Sequence, residues 1–543
     1  MDRITVSDYL VQELHKLGIT DFFGLPGDYS FNIITSIENN PDTNWVGSTN
    51  ELNAGYSADG YARIKGFGAL VTTYNVGELS AINAVAGSFA ENVAVISIVG
   101  MPATRYIKNN SLIHHNFQNP NYFAAFDAYS NMVQATAILY ENNAKEEIDR
   151  VLSVFVKERK PVYIGIPSDV CEIFIKNESI LETPQSNYKK LEKAVNHALK
   201  LINSSTSPII IGDSLVERFQ AREEFQNFVK NSGFPSTTLI MGKGLIYESS
   251  PNFIGTYLGS IDNIDVYDYV NKSDCIISIG TIYSDLNAFK CDINFKPSDF
   301  IEVHGTYVVV EKNIYEDVLM KDFLNELANQ VEFKNIEIKK DLQDRAFPEI
   351  IEEKILDFDY FTPRFEKFLK EDDLIFVDTG ILDYVVPSIK IPDGCVLYEQ
   401  VLWGSIGWAT PAVFGAGLAD KNKRIILLTG EGSIQLTIQS VSSMIYRGLK
   451  PIIFVLNNSG YTIERILSKN PESDYNNIVP WDYVRLFEAF DAEAYTAKVK
   501  TNIQLDNVLN TVGNLNHICF IELFTDKMNI PKLLRKYKEM YRK

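Results

Sequence analysis

The sequence contains few cysteines and no recognisable cysteine pattern. Its five cysteines among 543 residues, Cys171, Cys275, Cys291, Cys395 and Cys519, are scattered and show no Cys-x-x-Cys spacing. This usage argues against the disulfide framework of a secreted protein and favours a reducing compartment. The first residues also lack the basic and then apolar layout of a signal peptide. We therefore expect a cytoplasmic protein.

A surplus of positive charge and a long apolar run are both missing as well. The chain carries 51 Lys and Arg residues against 70 Asp and Glu residues, for a net charge of −19. A surface with this balance does not attract nucleic acid or anionic lipid over most of its area. No apolar run approaches the ~20 residues that a membrane-spanning helix needs. We therefore expect neither a nucleic-acid partner nor a membrane partner.

Short apolar runs that alternate with helical stretches dominate the rest of the chain. These runs lie at 69–73, 94–99, 162–166, 208–212, 275–280, 425–428 and 452–456. Buried strands of this kind between helices predict doubly wound parallel sheets of the α/β class. The chain is too long for one core and suggests about three domains. Two charge-rich stretches, at about 176–193 and 333–359, are predicted to be linkers.

The most informative motif consists of two polar turns that follow two of these apolar runs. Gly430-Glu431-Gly432-Ser433 follows one run, and Asn457-Asn458-Ser459-Gly460 follows the next. They place a carboxylate and a carboxamide at the carboxyl ends of two strands, beside glycines, which suits a magnesium-held diphosphate. Each turn taken singly could also be an ordinary tight turn. A dinucleotide fingerprint is excluded because its third glycine would fall at Gln435.

The spacing of these turns, together with Glu51 and the pair His114-His115, resembles the thiamine diphosphate decarboxylases of 2-keto acids. This is the pyruvate and indolepyruvate decarboxylase family, and the likeness runs the whole length of the chain. The resemblance implies three doubly wound α/β domains: a pyrimidine-binding domain at 1–180, a central domain at 190–340 and a diphosphate-binding domain at 355–543. It implies a small-molecule 2-keto acid substrate, thiamine diphosphate and Mg²⁺ as cofactors, and a homodimer or dimer of dimers.

The resemblance also assigns residues to the cofactor. It implies that Glu431, Asn458 and the Gly460 carbonyl bind the metal, that Ile406 supports the bent cofactor and that the Gly404 carbonyl receives its exocyclic amine. The full set of implied cofactor contacts is Glu51, Thr379, Gly404, Ser405, Ile406, Gly432, Ser433, Asn458, Tyr461, Thr462 and Ile463.

Three positions depart from the family pattern. Most members carry Asp where this chain has Glu431, and the extra methylene moves the carboxylate outward by about 1.5 Å. We expect Glu431→Asp to keep or improve magnesium-dependent activity unless the local backbone has adapted to Glu. Ile381 replaces a usual cofactor-contacting Thr, and Asp383 falls where members often carry an apolar residue.

Five residues are implied to act in catalysis: Glu51, Asp28, His114, His115 and Glu464. Glu51 would hydrogen-bond the aminopyrimidine ring and so promote proton loss from the thiazolium carbon, and the other four would carry protons. Alternatives remain for three of them. Ser48-x-x-Glu51 fits a capping box, Asp28 could hold a turn, and Glu464 could favour the first turn of a helix.

The resemblance therefore implies non-oxidative decarboxylation of a 2-keto acid to an aldehyde and carbon dioxide. Pyruvate, branched and aromatic 2-keto acids all remain open as substrates. A carboligase of the acetolactate synthase type shares the cofactor machinery and is the nearest alternative. Glu431 and Ile381 motivate a second one, a thiamine diphosphate-binding protein with little turnover.

Overall fold

The computed structural model describes residues 3–261, 264–289, 298, 300–336, 338 and 353–541. Cys291 and the charged core of the second predicted linker, 339–345, lie outside the described residues. The chain divides into two compact units. One contains Met1–Pro184, Pro411–Lys421 and Gln439–Met444, and the other contains Gln185–Thr410, Asn422–Ile438 and Ile445–Lys543.

The first unit is built around a six-stranded sheet in which all strands are parallel. Its strand order is β3-β2-β4-β5-β7-β6, and β1 pairs with β8 in a separate antiparallel ribbon. The elements in chain order are β1 (Arg3–Thr5), α1 (Val6–Lys16), β2 (Asp21–Gly24), α2 (Phe31–Asn39), β3 (Asn44–Gly47), α3 (Glu51–Lys65), β4 (Gly68–Thr73), α4 (Val76–Ala90), β5 (Val95–Met101), α5 (Thr104–Lys108), α6 (Ala124–Tyr129), β6 (Ala135–Ile138), α7 (Ala144–Glu158), β7 (Val162–Pro167) and β8 (Phe174–Lys176).

The central strands of this sheet are buried on both faces. Every residue of β4, β5 and β7 is buried, which explains why the sequence shows continuous apolar runs there rather than alternation. The parallel register pairs Thr73 with Gly100, so the loops after β4 and β5 leave the sheet at the same edge. Predicted functional residues of the first unit cluster near this edge.

The first part of the second unit contains a seven-stranded sheet with the order β11-β10-β9-β12-β13-β14-β15. Its elements are α8 (Tyr188–Ser204), β9 (Pro208–Gly212), α9 (Leu215–Arg218), α10 (Arg222–Ser232), β10 (Ser236–Thr238), β11 (Phe253–Thr256), α11 (Ile264–Lys272), β12 (Cys275–Ile279), β13 (Phe300–Val303), β14 (Tyr307–Val310), β15 (Asn313–Glu316) and α12 (Met320–Gln330). The strands β11, β10, β9, β12 and β13 pair in parallel, whereas β14 pairs antiparallel with both β13 and β15. The short connections between β13, β14 and β15 permit only antiparallel pairing.

The last part of the second unit contains a six-stranded, fully parallel sheet with the order β17-β16-β18-β19-β21-β20. Its elements are α13 (Phe358–Phe368), β16 (Leu374–Val377), β17 (Val396–Tyr398), α14 (Ala409–Ala419), β18 (Ile425–Gly430), α15 (Glu431–Thr437), α16 (Gln439–Tyr446), β19 (Ile452–Asn457), α17 (Thr462–Leu467), α18 (Leu486–Ala489), β20 (Ala494–Val499), α19 (Asn502–Val512), β21 (Ile518–Phe524) and α20 (Lys532–Tyr541).

Most of α14 and α16 belongs to the first unit because both helices contact α3. A Cβ on Gly60 would overlap the Ala412 carbonyl oxygen, and a Cβ on Gly415 would overlap the Ser57 carbonyl oxygen. The Asn53 side chain donates to Ser440 Oγ at 2.9 Å.

The predicted fold class, three doubly wound parallel-sheet domains, is confirmed, and each apolar run coincides with a strand. The predicted domain limits stay a prediction. Among the described residues, no helix is long and apolar enough to cross a membrane.

A buried ion triad in the first unit offers a test of the fold. Arg63 Nε contacts Asp59 Oδ1 at 2.7 Å, and Arg63 Nη2 contacts Glu91 Oε2 at 2.9 Å, with all three side chains at most 1% exposed. Arg63→Met leaves two buried carboxylates without this cation, which costs about 3–5 kcal/mol. We expect the thermal midpoint to fall by about 6 °C or more.

Arg150→Met is the matched control because Arg150 contacts Glu147 at the surface, with the two side chains 47% and 28% exposed. An exposed pair contributes about 1 kcal/mol or less. Differential scanning calorimetry of both variants decides the matter, and equal midpoints would contradict the assigned role of the triad.

Candidate active site

Two turns meet at the carboxyl edge of the last sheet. The parallel register pairs Gly430 at the end of β18 with Leu456 near the end of β19. Glu431 follows Gly430 directly, and its Oε1 accepts hydrogen bonds from the Asn458 amide at 3.1 Å and the Gly460 amide at 2.8 Å. The two polar turns of the sequence are therefore one connected structure and not two separate turns.

The backbone of the second turn is held from its other side by Arg465. This arginine is 2% exposed and donates to the Asn458 carbonyl at 3.4 Å, the Ser459 carbonyl at 2.5 Å and Asn477 Oδ1 at 2.9 Å. Ser459 and Gly460 both have positive φ, 63° and 130°. A carboxylate and a guanidinium thus fix a backbone shape that a free chain rarely adopts. The sequence analysis did not single out Arg465.

Glu431 is a buried carboxylate with an altered proton affinity. It is 3% exposed, and burial raises its pKa to about 7 against the lowering by the Gly460, Asn458 and Ser459 amides. A divalent cation beside it would favour the ionised form. The extra methylene of Glu carries Oε1 to the loop amides, so the local backbone is adapted to Glu. This contact changes the expectation for Glu431→Asp.

A cavity of about 390 Å³ adjoins these turns within the second unit. The predicted site residues that line it are Thr379, Ile406, Glu431, Gly432, Ser433, Asn458, Gly460, Tyr461, Thr462, Ile463 and Glu464. Gly404 and Ser405 are not among its lining residues, although they directly precede Ile406 in the chain. Ile381 and Asp383, two of the departures from the family pattern, line the cavity as well.

Asp378 anchors one wall of this cavity. It is 1% exposed, its Oδ1 accepts from the Gly407 amide at 3.0 Å, and its Oδ2 accepts from Thr429 Oγ1 at 3.0 Å. Burial raises the pKa of Asp378 to about 7. Thr437 Oγ1 donates to the Gly407 carbonyl at 2.7 Å. Gly407 is therefore held at both its amide and its carbonyl, which fixes the loop that ends in Ile406 and Gly407.

The residues around the cavity fit a magnesium diphosphate. Glu431, Asn458 and the Gly460 carbonyl offer the hard oxygen atoms that Mg²⁺ prefers. The backbone is open beside two glycines of the lining, because a Cβ on Gly380 or Gly430 would meet nothing within 4 Å. A phosphate group can approach main-chain atoms only where such space exists.

Glu51 lies in the first unit as the first residue of α3. The N-cap is Asn50, whose Oδ1 accepts from the Asn53 amide at 2.8 Å. The capping-box alternative for Ser48 and Glu51 is therefore wrong, since Asn50 already caps the helix. Glu51 Oε1 lies 3.2 Å from where a Cβ on Gly77 would stand, so glycine leaves room for the carboxylate. Burial raises the pKa of Glu51.

The same end of the first unit contains buried polar atoms that lack a hydrogen-bond partner among the described residues. Thr73 Oγ1 and Asn75 Oδ1 are buried and have no hydrogen-bond partner within the described part of the chain. Thr73 also borders the space beside Gly77 and Glu51. Unsatisfied buried polar atoms are costly, so this end of the first unit carries polar groups that its own fold leaves uncompensated.

The structure brings Asp28, His114 and His115 together. Asp28 Oδ2 and His114 Nε2 are 2.9 Å apart, and the ligand atoms of all three side chains lie within 4.8 Å of one another. The Tyr29 ring stacks on His114 with centroids 4.9 Å apart. Burial and the neighbouring His114 lower the pKa of His115. The lowered pKa favours the neutral form of the His115 ring.

Main-chain contacts fix the histidine loop. Tyr74 Oη donates to the His114 carbonyl at 2.6 Å, and Asn75 Nδ2 donates to the His115 carbonyl at 2.9 Å. His115 has a φ of 63°, which few side chains adopt without support. Tyr74 and Asn75 were not singled out by the sequence analysis, although they directly follow a predicted strand.

Comparison with known proteins identifies the family. Sequence models of the thiamine pyrophosphate enzymes match in three parts: the N-terminal TPP binding domain at residues 4–125, the central domain at 195–330 and the C-terminal TPP binding domain at 386–523. The pyruvate decarboxylase of Kluyveromyces lactis is 33% identical over 98% of this chain and 95% of its own. This chain belongs to the thiamine diphosphate-dependent 2-keto acid decarboxylases.

Two further relatives of this decarboxylase agree. Pyruvate decarboxylase isozyme 3 of Saccharomyces cerevisiae is 36% identical, covering 91% of this chain and 90% of its own. The pyruvate decarboxylase of Candida glabrata is 35% identical, covering 98% and 97%. The predicted decarboxylation of a 2-keto acid with thiamine diphosphate and Mg²⁺ is confirmed. These relatives are named decarboxylases, which favours that reaction over the carboligase alternative.

Glu431 generates a prediction about metal affinity. Glu431→Asp shortens the side chain and removes its two hydrogen bonds to the Asn458 and Gly460 amides. Hydrogen bonds to a charged group contribute about 1.5–3 kcal/mol, so we expect Mg²⁺ affinity in the presence of thiamine diphosphate to fall about tenfold or more. Isothermal titration calorimetry measures this Mg²⁺ affinity.

Glu431→Gln is the matched control. It keeps the length and an oxygen that accepts from both amides, but it removes the negative charge. We expect the thermal midpoint of the metal-free protein to remain that of the wild type in Glu431→Gln and to fall in Glu431→Asp. Unchanged or tighter Mg²⁺ binding by Glu431→Asp would instead support the expectation drawn from the family pattern.

Proposed function

We propose that this decarboxylase places the metal and the diphosphate at the edge of β18 and β19, with Glu431, Asn458 and the Gly460 carbonyl as protein ligands. The observation that carries the proposal is the contact of Glu431 Oε1 with the Gly460 amide at 2.8 Å, which joins the two turns beside the cavity. Thr379, Gly432, Ser433, Tyr461, Thr462 and Ile463 are the proposed neighbours of the bound cofactor. Ile406 is the proposed support of its bent shape, the Gly404 carbonyl the proposed partner of its exocyclic amine, and Ser405 a further proposed contact. The Asp378–Gly407 hydrogen bond supports that loop.

When bound, thiamine diphosphate supplies the electron sink that stabilises the negative charge left on carbon by loss of carbon dioxide. The protein must orient this group and move protons. Glu51 is the proposed partner of the aminopyrimidine ring. Its raised pKa supports this role, because a carboxyl that gains a proton readily can share one with a ring nitrogen. Asn50 caps the helix, so the Glu51 carboxyl is not the cap, and the backbone amide that lowers its pKa is its own.

Asp28, His114, His115 and Glu464 are the proposed proton carriers for aldehyde formation. The 2.9 Å contact between Asp28 and His114 and the lowered pKa of His115 support a relay that holds and passes one proton. Glu464 stands in the first turn of α17 and lines the cavity. Its carboxylate can therefore favour the helix N-terminus and also face a bound substrate. A carboligase does not release an aldehyde, so it would not need such a relay.

The assay that tests this function is carbon dioxide and aldehyde release from pyruvate, 2-ketoisovalerate, phenylpyruvate and indolepyruvate. The names of the relatives support pyruvate as one substrate. We expect release from at least one acid, dependent on Mg²⁺ and thiamine diphosphate. Tight cofactor binding without release from any acid would favour the low-turnover alternative, and acetolactate from pyruvate would favour the carboligase.

Glu51→Gln is the variant that tests the proposed catalytic role. The carboxamide has nearly the same shape but cannot exchange a proton, so we expect turnover to fall by about 100-fold or more. The affinity for thiamine diphosphate, measured by calorimetry, should change far less than the turnover rate. Undiminished turnover by Glu51→Gln would refute the role of Glu51.

We propose further that the protein acts as a homodimer or a dimer of dimers, in which the first domain of one subunit and the last domain of its partner complete each site. Exposed apolar residues of the first unit support this. Phe31, Val76 and Leu79 are 55%, 52% and 38% exposed, and Val76 and Leu79 lie one turn apart at the start of α4. No disulfide joins the four described cysteines, which supports a cytoplasmic location.

Val76→Asp tests the assembly. A charge in an apolar interface is costly, so we expect sedimentation velocity to show a shift from dimer to monomer at micromolar protein concentration. Ile180→Asp is the control because Ile180 is also exposed, at 59%, but lies outside every helix and strand of the first unit. Equal sedimentation of both variants and the wild type would contradict the proposed interface.

A further inference from the structure

The proposed proton carriers of the first unit are also a set of metal-ligand side chains. The ligand atoms of Asp28, His114 and His115 all lie within 4.8 Å of one another, and the described ranges contain no second set of three His, Cys, Asp or Glu side chains that meets so closely. Two members of this set are imidazoles, whereas the proposed magnesium ligands are all oxygen atoms. The two places therefore suit different classes of metal ion.

The geometry of the set is close to that of a metal centre. Zn²⁺ binds nitrogen and carboxylate oxygen at about 2.0–2.2 Å, so two ligands of one ion lie roughly 3–4 Å apart. Asp28 Oδ2 and His114 Nε2, which are 2.9 Å apart, are already near this separation. These two side chains are 48% and 57% exposed. Because they are not packed in a core, a small change of torsion angle can close the remaining distances.

The surroundings orient His114 as a ligand. Tyr74 Oη donates to its carbonyl at 2.6 Å, and the Tyr29 ring stacks on its imidazole with centroids 4.9 Å apart. Tyr29 Oη lies 3.4 Å from His114 Nδ1, so Nε2, the nitrogen beside Asp28, is the atom that faces a metal ion. A ligating histidine commonly contacts an oxygen atom through its other nitrogen, and this contact fixes the ring.

We propose that Asp28, His114 and His115 bind a divalent transition-metal ion such as Zn²⁺ and that this ion inhibits the enzyme. Imidazole suits Zn²⁺ and Cu²⁺, whereas Mg²⁺ loses its water reluctantly and takes oxygen ligands, so the cofactor metal does not compete for this set. The bound ion occupies the lone pairs with which the proton carriers accept protons. The inhibition rests on the proposed function, but the binding of the ion does not.

Calorimetric titration of the holoenzyme with Zn²⁺, at saturating Mg²⁺ and thiamine diphosphate, tests the binding. We expect one high-affinity Zn²⁺ per chain. His115→Gln and Asp28→Asn each remove one ligand of the ion, and each should weaken the affinity by at least about tenfold, the effect that loss of an outer partner of a metal ligand already has.

His304→Gln is the matched control. His304 Nε2 also faces a carboxylate, Glu302 Oε2 at 3.2 Å, but no third His, Cys, Asp or Glu ligand completes that pair among the residues described. We expect His304→Gln to bind Zn²⁺ as the wild type does. Thermal midpoints and calorimetric binding of thiamine diphosphate with Mg²⁺ should match the wild type in all three variants, which separates loss of a ligand from loss of the fold.

Carbon dioxide release by the wild type tests the inhibition. Zn²⁺ that saturates the set should reduce the rate about 100-fold or more, the usual contribution of acid–base groups. Removal of Zn²⁺ by a chelator and return of Mg²⁺ should restore the rate. A large excess of Mg²⁺ should leave the inhibition unchanged, because Mg²⁺ does not bind the imidazoles.

Unaltered Zn²⁺ affinity in both His115→Gln and Asp28→Asn would overturn the proposal. Inhibition that excess Mg²⁺ relieves would also overturn it, because the ion would then sit at the oxygen ligands Glu431 and Asn458. Full turnover with Zn²⁺ bound would refute the inhibitory role. Zn²⁺ binding that depends on Asp28 and His115, in a protein that turns over no acid, would contradict the proposed function and support the metal site.

Discussion

The parallel register of β18 and β19 is the constraint on which the site depends. Because Gly430 pairs with Leu456, the residues that follow the two strands leave the sheet side by side. The Glu431 carboxylate then reaches the Asn458 and Gly460 amides without distortion of either strand. A shift of one residue would turn Glu431 to the other face of the sheet and separate the two turns. The proposed metal site therefore rests directly on the end of this sheet.

Contacts from outside the two turns add to that rigidity. Arg465 holds the carbonyl groups of Asn458 and Ser459, and Glu522 Oε1 accepts from Asn457 Nδ2 at 2.7 Å. Arrangements of this kind pay the ordering cost during folding, so the ligand oxygens need little rearrangement when the metal arrives. Among the described residues that line the cavity beside them are four carboxyl groups and no basic side chain, which suits a cation as its occupant.

The sequence was sufficient for the strands and for the two turns, because continuous apolar runs and Gly-rich ends follow from local chemistry. It was insufficient where a role depends on a distant partner. Arg465, Asp378 and Tyr74 act through contacts with backbone atoms that no periodicity reveals. The antiparallel pairing of β14 with β13 and β15 also escaped prediction, since β14 and β15 are short and partly exposed. The capping alternative for Glu51 failed because Asn50 was the better cap.

Two departures from the family pattern, Glu431 and Asp383, line the same cavity. They differ in how far hydrogen bonds within the protein compensate them. Glu431 is longer than the usual Asp, but its extra length is absorbed by two amides of the same turn, so the change is compensated within the protein. Asp383 replaces an apolar residue, and only one of its oxygens finds a partner among the described residues. A substitution that the protein compensates preserves an existing function. Asp383 holds the Gly380 amide with one oxygen, while the other gains no partner among the described residues, so this change is compensated only in part.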